Sequence, residues 1–224
     1  MSYSEIDCFE RYLGKVFQFS ANLGLLRDQR EFPDKGIANI FLASLYGSAL
    51  RFKSISRIEE ETREGCLKKR VGSISDDTFQ YGLERLDAES VREIWNELSK
   101  RAKRNGMFRN NQFNDYLVGV LDCIEVYSSY KRECPRCLKR RLTTSKGEVT
   151  QYYHRIVVLT LVGYEFPIPL GLEFIKPGEG EVACALRLLK RLREQLGSQF
   201  LDIAIADAMY CTPHFFKSCE KMGI

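Results

Sequence analysis

YLVGVLDCIEVYSS, residues 116–129, and FLDIAIADAMY, residues 200–210, are the two stretches whose reading decides the fold. Both are short apolar runs rich in β-branched residues, the signature of strands. Asp122 lies inside the first, and Asp207 closes the apolar part of the second. A strand buried on both faces reads as a continuous apolar run, and an acid there costs free energy unless something pairs with it. In open α/β sheets such groups gather at strand ends, where side chains escape the core.

Outward from these runs the segment order is strand, strand, strand, helix, strand. YYHRIVVLTLVG, residues 152–163, reads as a second strand. FPIPLGLEFI, residues 166–175, reads as a third, and its two prolines suggest an edge position or a late start. A helix follows over 181–196, with Val182, Ala185, Leu186, Leu189 and Leu192 on one face and Gly197 as its cap. Residues 200–206, apolar apart from Asp202, read as a buried fourth strand, and a last helix is expected over 213–222.

The first half has helical periodicity instead. Residues 37–50 carry apolar side chains at helical spacing after Pro33 and Asp34, and 54–62 resume the pattern. Ser75 is an N-cap, with Asp76 and Asp77 in the first turn where the macrodipole favours acids. Asp87 or Ser90 starts another helix over 91–103, with Val91, Ile94, Trp95 and Leu98 on one face. Polar residues and Gly106 cluster over 105–114 as a linker. The chain therefore divides into a helical region, 1–110, and an α/β region, 111–224. The helical region suits a DNA-binding head or a packing collar equally.

Composition is that of an ordinary globular protein: 44% hydrophobic, 29% charged, net charge +4. No leader pattern or membrane-crossing run is read, so a cytoplasmic location without membrane association is expected, with the eight cysteines mostly reduced.

Two carboxylates brought together at strand ends repel, and a divalent cation relieves this. Mg²⁺ or Mn²⁺ takes oxygen ligands and keeps waters, which leaves room for substrate phosphates. Such a site activates a nucleophile and stabilises the leaving oxygen in phosphodiester chemistry. The plain alternative is that Asp207 caps a helix and Asp122 pairs with an arginine.

A basic insert spans 130–148. Over 130–147 Lys131, Arg132, Arg136, Lys139, Arg140, Arg141 and Lys146 stand against Glu133 alone, a composition suited to gripping a nucleic-acid backbone. A solvated charged loop is the alternative. Within it Cys134 and Cys137 form a CxxC turn, and His154 follows on the next strand. These three are candidate ligands for a structural Zn²⁺, with Cys123 a fourth only by chance of folding; two ordinary thiols are the other reading.

The chain resembles the DDE transposases of bacterial and archaeal insertion sequences. The residues that carry the likeness are VLDCIEV around Asp122, IADAMY around Asp207, YYHR at 152–155, PGEGE at 177–181 and FFK…Gly223. The resemblance implies a helical N-terminal region and an RNase H-like mixed sheet with flanking helices, incomplete at the C-terminus. It implies that Asp122 and Asp207 are the first two members of a catalytic triad binding Mg²⁺ or Mn²⁺. It implies duplex DNA at element ends as partner, a homodimer on that DNA and a nucleoid-associated location. The third acid, a Glu on a later helix, has no counterpart: Glu220 follows Asp207 too closely. The expectation is a transposase fragment lacking the catalytic Glu and inactive alone, or else a non-catalytic DNA-binding protein derived from a transposase. A nuclease built from Asp122, Glu125 and Asp207 would need a bulge, since residues three apart in a strand face opposite ways.

Overall fold

The computed structural model describes residues 3–109, 111–145 and 147–224. The chain forms two compact units, 1–105 and 106–224. Taken together the elements make a mixed α/β protein.

The first unit is helical: α1 (Tyr3–Phe17), α2 (Phe19–Asn22), α3 (Ile37–Ala49), α4 (Ile55–Arg63), α5 (Lys68–Val71), α6 (Asp76–Arg85) and α7 (Ala88–Arg104). Its starts are set by side chains that satisfy orphan amides. Ser54 accepts from the Arg57 amide, Ser75 from Thr78 and Asp87 from Glu89. One core gathers Ile6, Ile40, Ala43, Tyr46, Ile58, Leu67, Val71, Ile74 and Phe79. The buried Thr62 hydroxyl stitches this core, donating to the Glu59 carbonyl and accepting from the Ile74 amide. Helix α7 is rotated from the expected face. It buries Ser90, Ile94, Asn96, Ser99 and Ala102, while Trp95 is exposed. Polar burial is affordable here because Ser90 is bonded on both sides, accepting from the Arg27 amide and donating to the Asp87 carbonyl.

The second unit is a five-stranded mixed sheet with two helices: β1 (Val118–Ser129), β2 (Leu138–Thr144), β3 (Gly147–Val162), β4 (Ile168–Phe174), α8 (Glu181–Leu196), β5 (Ile203–Ile205) and α9 (Pro213–Met222). Central β1 runs antiparallel to β3 and parallel to β5. The long β3 pairs β1 along one edge. On its other edge its first half pairs β2 and its second half pairs β4. The strand pair β2–β3 is thus a ribbon growing out of the sheet. The prolines are accommodated as expected for an edge: Pro167 precedes β4, and Pro169 sits beside its register shift.

Strand register sorts the side chains. Gly119, Leu121 and Cys123 of β1 align with Leu161, Leu159 and Val157 of β3, and this layer is covered by α8. The helix buries Cys184, Ala185, Leu188, Leu189 and Leu192 against it; Leu188 belongs to the face, whereas Val182 and Leu186 lie at its margin. Glu173 of β4 is buried in the same layer and is held by Arg187 (2.5 Å) and Arg191 (2.9 Å) from α8. The other face is more open. Ile124, Leu172, Phe174, Ile203 and Ile205 are exposed there, so β5 is not the fully buried strand its composition suggests. Among the described residues, no helix is long and apolar enough to cross a membrane.

Candidate functional site

Asp122 and Asp207 are positioned by the parallel pairing of β1 with β5. Val118, Gly119 and Val120 align with Ile203, Ala204 and Ile205. Carried two residues further along both chains, past the last paired residues, that register would align Asp122, inside β1, with Asp207, just beyond the end of β5. Asp207 has extended backbone (φ −72°, ψ 174°) where it caps the turn that follows β5.

Both acids are exposed. Asp122 Oδ1 accepts from the Cys123 amide (2.8 Å), and Asp207 Oδ1 accepts from the Met209 amide (2.9 Å), capping a short 3₁₀ turn. The helix-cap alternative for Asp207 is therefore realised in part. Neither acid has an ion pair among the described residues, so no arginine neutralises Asp122. Glu125 is set apart from both. The register shift in β1 falls after it, between Glu125 and Tyr127, so Glu125 faces away from Asp122. There it receives Arg140 through two hydrogen bonds of 2.9 and 3.0 Å.

A polar network that the sequence reading missed lies behind Asp122. Glu181, in the first turn of α8, accepts from Arg155 of β3 (2.7 Å) and from the Tyr210 hydroxyl (3.0 Å). Burial, reinforced by a hydrogen bond to Glu181, pushes the Cys123 thiol up to about 12. The same two causes push the Tyr210 phenol well above its ordinary range. Both therefore stay protonated donors around a carboxylate that Arg155 already balances. The network ties β1, β3, α8 and the turn after Asp207 together. Cys123 lies on the α8 side of the sheet and is not grouped with Cys134, Cys137 and His154 among the described residues. Glu181 was legible only as a helix start, because its partners come from elements far away in sequence.

The ribbon brings Cys134, Cys137 and His154 together. Leu138 pairs with Tyr153, so Cys137 arrives directly across from His154. Cys134 Sγ lies 3.3 Å and Cys137 Sγ 3.4 Å from His154 Nε2, with the sulfurs 3.3 Å apart. The turn is closed by the Cys137 amide donating to the Cys134 carbonyl (3.0 Å). The imidazole stands between the rings of Tyr127 and Phe174. Among the described residues this is the group of three His, Cys, Asp or Glu ligand atoms within 4.8 Å of one another, and it can hold a metal ion such as zinc. Asp122 and Asp207 belong to no such trio.

The six described basic candidates fall into two sets. Arg140 is engaged by Glu125 and Gln151 and lies 4.6 Å from the Tyr153 ring. Lys139 pairs with Glu133 and lies 5.3 Å from the Tyr152 ring. Lys131, Arg132, Arg136 and Arg141 are exposed and have no ion pair among the described residues. Lys146 lies outside the described residues. Comparison of the chain with family models, with curated proteins and with solved structures finds no match.

Proposed function

We propose that the chain acts on duplex DNA as a DDE-transposase-type protein, with Asp122 and Asp207 as two ligands of a Mg²⁺ or Mn²⁺ site for phosphodiester cleavage and strand transfer. The observation that carries this reading is the parallel pairing of β1 with β5, whose register, extended two residues past its last pair, lines up Asp122 with Asp207. The spatial order β4-β3-β1-β5, with β5 alone parallel to its neighbour, supports an RNase H-like arrangement. Two exposed carboxylates without basic partners give a hard cation oxygen ligands and leave its remaining positions to water and phosphate. Lys131, Arg132 and Arg136 before the ribbon and Arg141 on it, without ion pairs among the described residues, would supply the backbone contacts that such a substrate needs.

A second reading is DNA binding without cleavage. It is favoured by the use of Asp207 as a cap and by the absence of a third acid grouped with Asp122 and Asp207 among the described residues. One assay separates the two. Labelled duplex DNA is incubated with the full chain and Mg²⁺ or Mn²⁺, for the native protein and for Asp122→Asn. Metal-dependent nicking or joining that Asp122→Asn abolishes, with DNA affinity retained, establishes the catalytic reading. Binding with no cleavage by either protein establishes the second.

A further inference from the structure

We infer that Cys134, Cys137 and His154 form a zinc centre that fixes the base of the β2–β3 ribbon, with two thiolates and one imidazole as protein ligands and water as the fourth. This goes beyond the DNA reading and does not depend on it. The three ligand atoms form a nearly equilateral triangle with edges of 3.3, 3.3 and 3.4 Å. Around a tetrahedral zinc, two sulfurs stand roughly 3.8 Å apart and a sulfur and a nitrogen roughly 3.5 Å apart, so each observed edge is within about 0.5 Å of its target. Both cysteines are free thiols, and a disulfide would have no use for the imidazole nitrogen that both sulfurs approach. The Cys134 amide also donates to Cys137 Sγ (3.2 Å), a contact that stabilises negative charge on that sulfur.

The placement explains what the metal would do. Cys134 and Cys137 lie in the connection from β1 to β2, whereas His154 lies within β3 where the ribbon joins the sheet. An ion bound by all three closes that connection onto β3. It thereby fixes Lys131, Arg132 and Arg136, which flank the two cysteines in sequence. The dication and two thiolates cancel, so the centre orders these cations without opposing their charge.

Cobalt substitution tests the inference on the full chain, without DNA. Metal-free protein titrated with Co²⁺ is expected to take up one ion per chain. Visible bands of tetrahedral cobalt and a near-ultraviolet thiolate charge-transfer band should appear together, and Zn²⁺ should erase both. Cys134→Ser, Cys137→Ser and His154→Ala should lose these bands, and Cys123→Ser should keep them. His154→Cys supplies a third sulfur and should retain tetrahedral binding with a stronger charge-transfer band, a gain that misfolding cannot mimic. Amide exchange over 131–153 should slow on adding Zn²⁺, whereas β1 residues 118–122 should not change. Octahedral cobalt only, unchanged bands in Cys134→Ser, or loss of binding in His154→Cys with native circular dichroism would each overturn the inference.

Discussion

Asp28 shows how much a single side chain can organise where the sequence gives no sign of it. Its carboxylate receives Arg30 through Nε (2.9 Å) and Nη2 (2.6 Å), and it also caps the Arg30 amide (3.1 Å). The guanidinium is buried and spends another proton on the Lys35 carbonyl. The Arg30 hydrogen bonds hold Asp28 below the ordinary aspartate range despite the opposing effect of desolvation. A depressed folded value means the stabilisation is fully present above the unfolded value of about 3.9 and is lost as pH falls through the folded value. Asp28→Asn is expected to cost about 1–3 kcal/mol at neutral pH, because a buried guanidinium loses its counter-charge. In urea unfolding from pH 6 to pH 2, the native protein should lose stability on acidification more steeply than Asp28→Asn. Parallel pH profiles would show that the pair does not act this way. The places of Asp122 inside β1 and of Asp207 just after β5 were legible at this scale because each punctuates an apolar run. The Asp28–Arg30 pair and Glu181 were not, because their meaning comes from packing partners rather than from neighbours in sequence.

At the scale of elements, end signals transferred well and faces transferred less well. Ser54, Ser75 and Gly197 sit at the helix boundaries their chemistry requires, and α9 begins at Pro213 behind the Thr212 cap. Strand β2 was hidden because LKRRLTT is polar and mostly exposed; only pairing with β3 makes it a strand. The start of β3 at Gly147 was hidden for the same reason. Gly119 marks a close approach of side chains to the backbone of β1. A Cβ there would lie 2.7 Å from Leu201 Cδ1 and 2.8 Å from Leu159 Cδ1, so the glycine is what lets these leucines close over β1. Gly119→Val should wedge them apart, at about 1–3 kcal/mol for overpacking a filled core. Chemical denaturation reads that cost. A loss below about 0.5 kcal/mol would mean the two leucines can repack freely.

Over the whole molecule, charge matters by its placement more than by its sum. The net +4 gives little attraction of its own, yet the ribbon and the connection leading into it carry cations in two distinct states. Arg140 and Lys139 are balanced by Glu125 and Glu133, whereas Lys131, Arg132, Arg136 and Arg141 have no ion pair among the described residues. A cation that already holds a carboxylate must give it up before it can hold a phosphate, so the two sets should differ in counterion release. For duplex DNA, log affinity falls with log salt by about 0.9 for each phosphate neutralised. Replacing Arg132, Arg136 or Arg141 by Gln should therefore flatten that slope by about 1 each and weaken binding similarly across unrelated sequences. Arg140→Gln should change the slope by clearly less, because it frees Glu125 as it removes the guanidinium. Titrations of labelled duplex at several salt concentrations measure this directly. Equal slope changes for Arg140 and Arg136 would mean that the ion pairs of the ribbon open on binding. A slope that none of the four substitutions alters would place the DNA contact elsewhere on the chain and remove the ribbon from the proposed function.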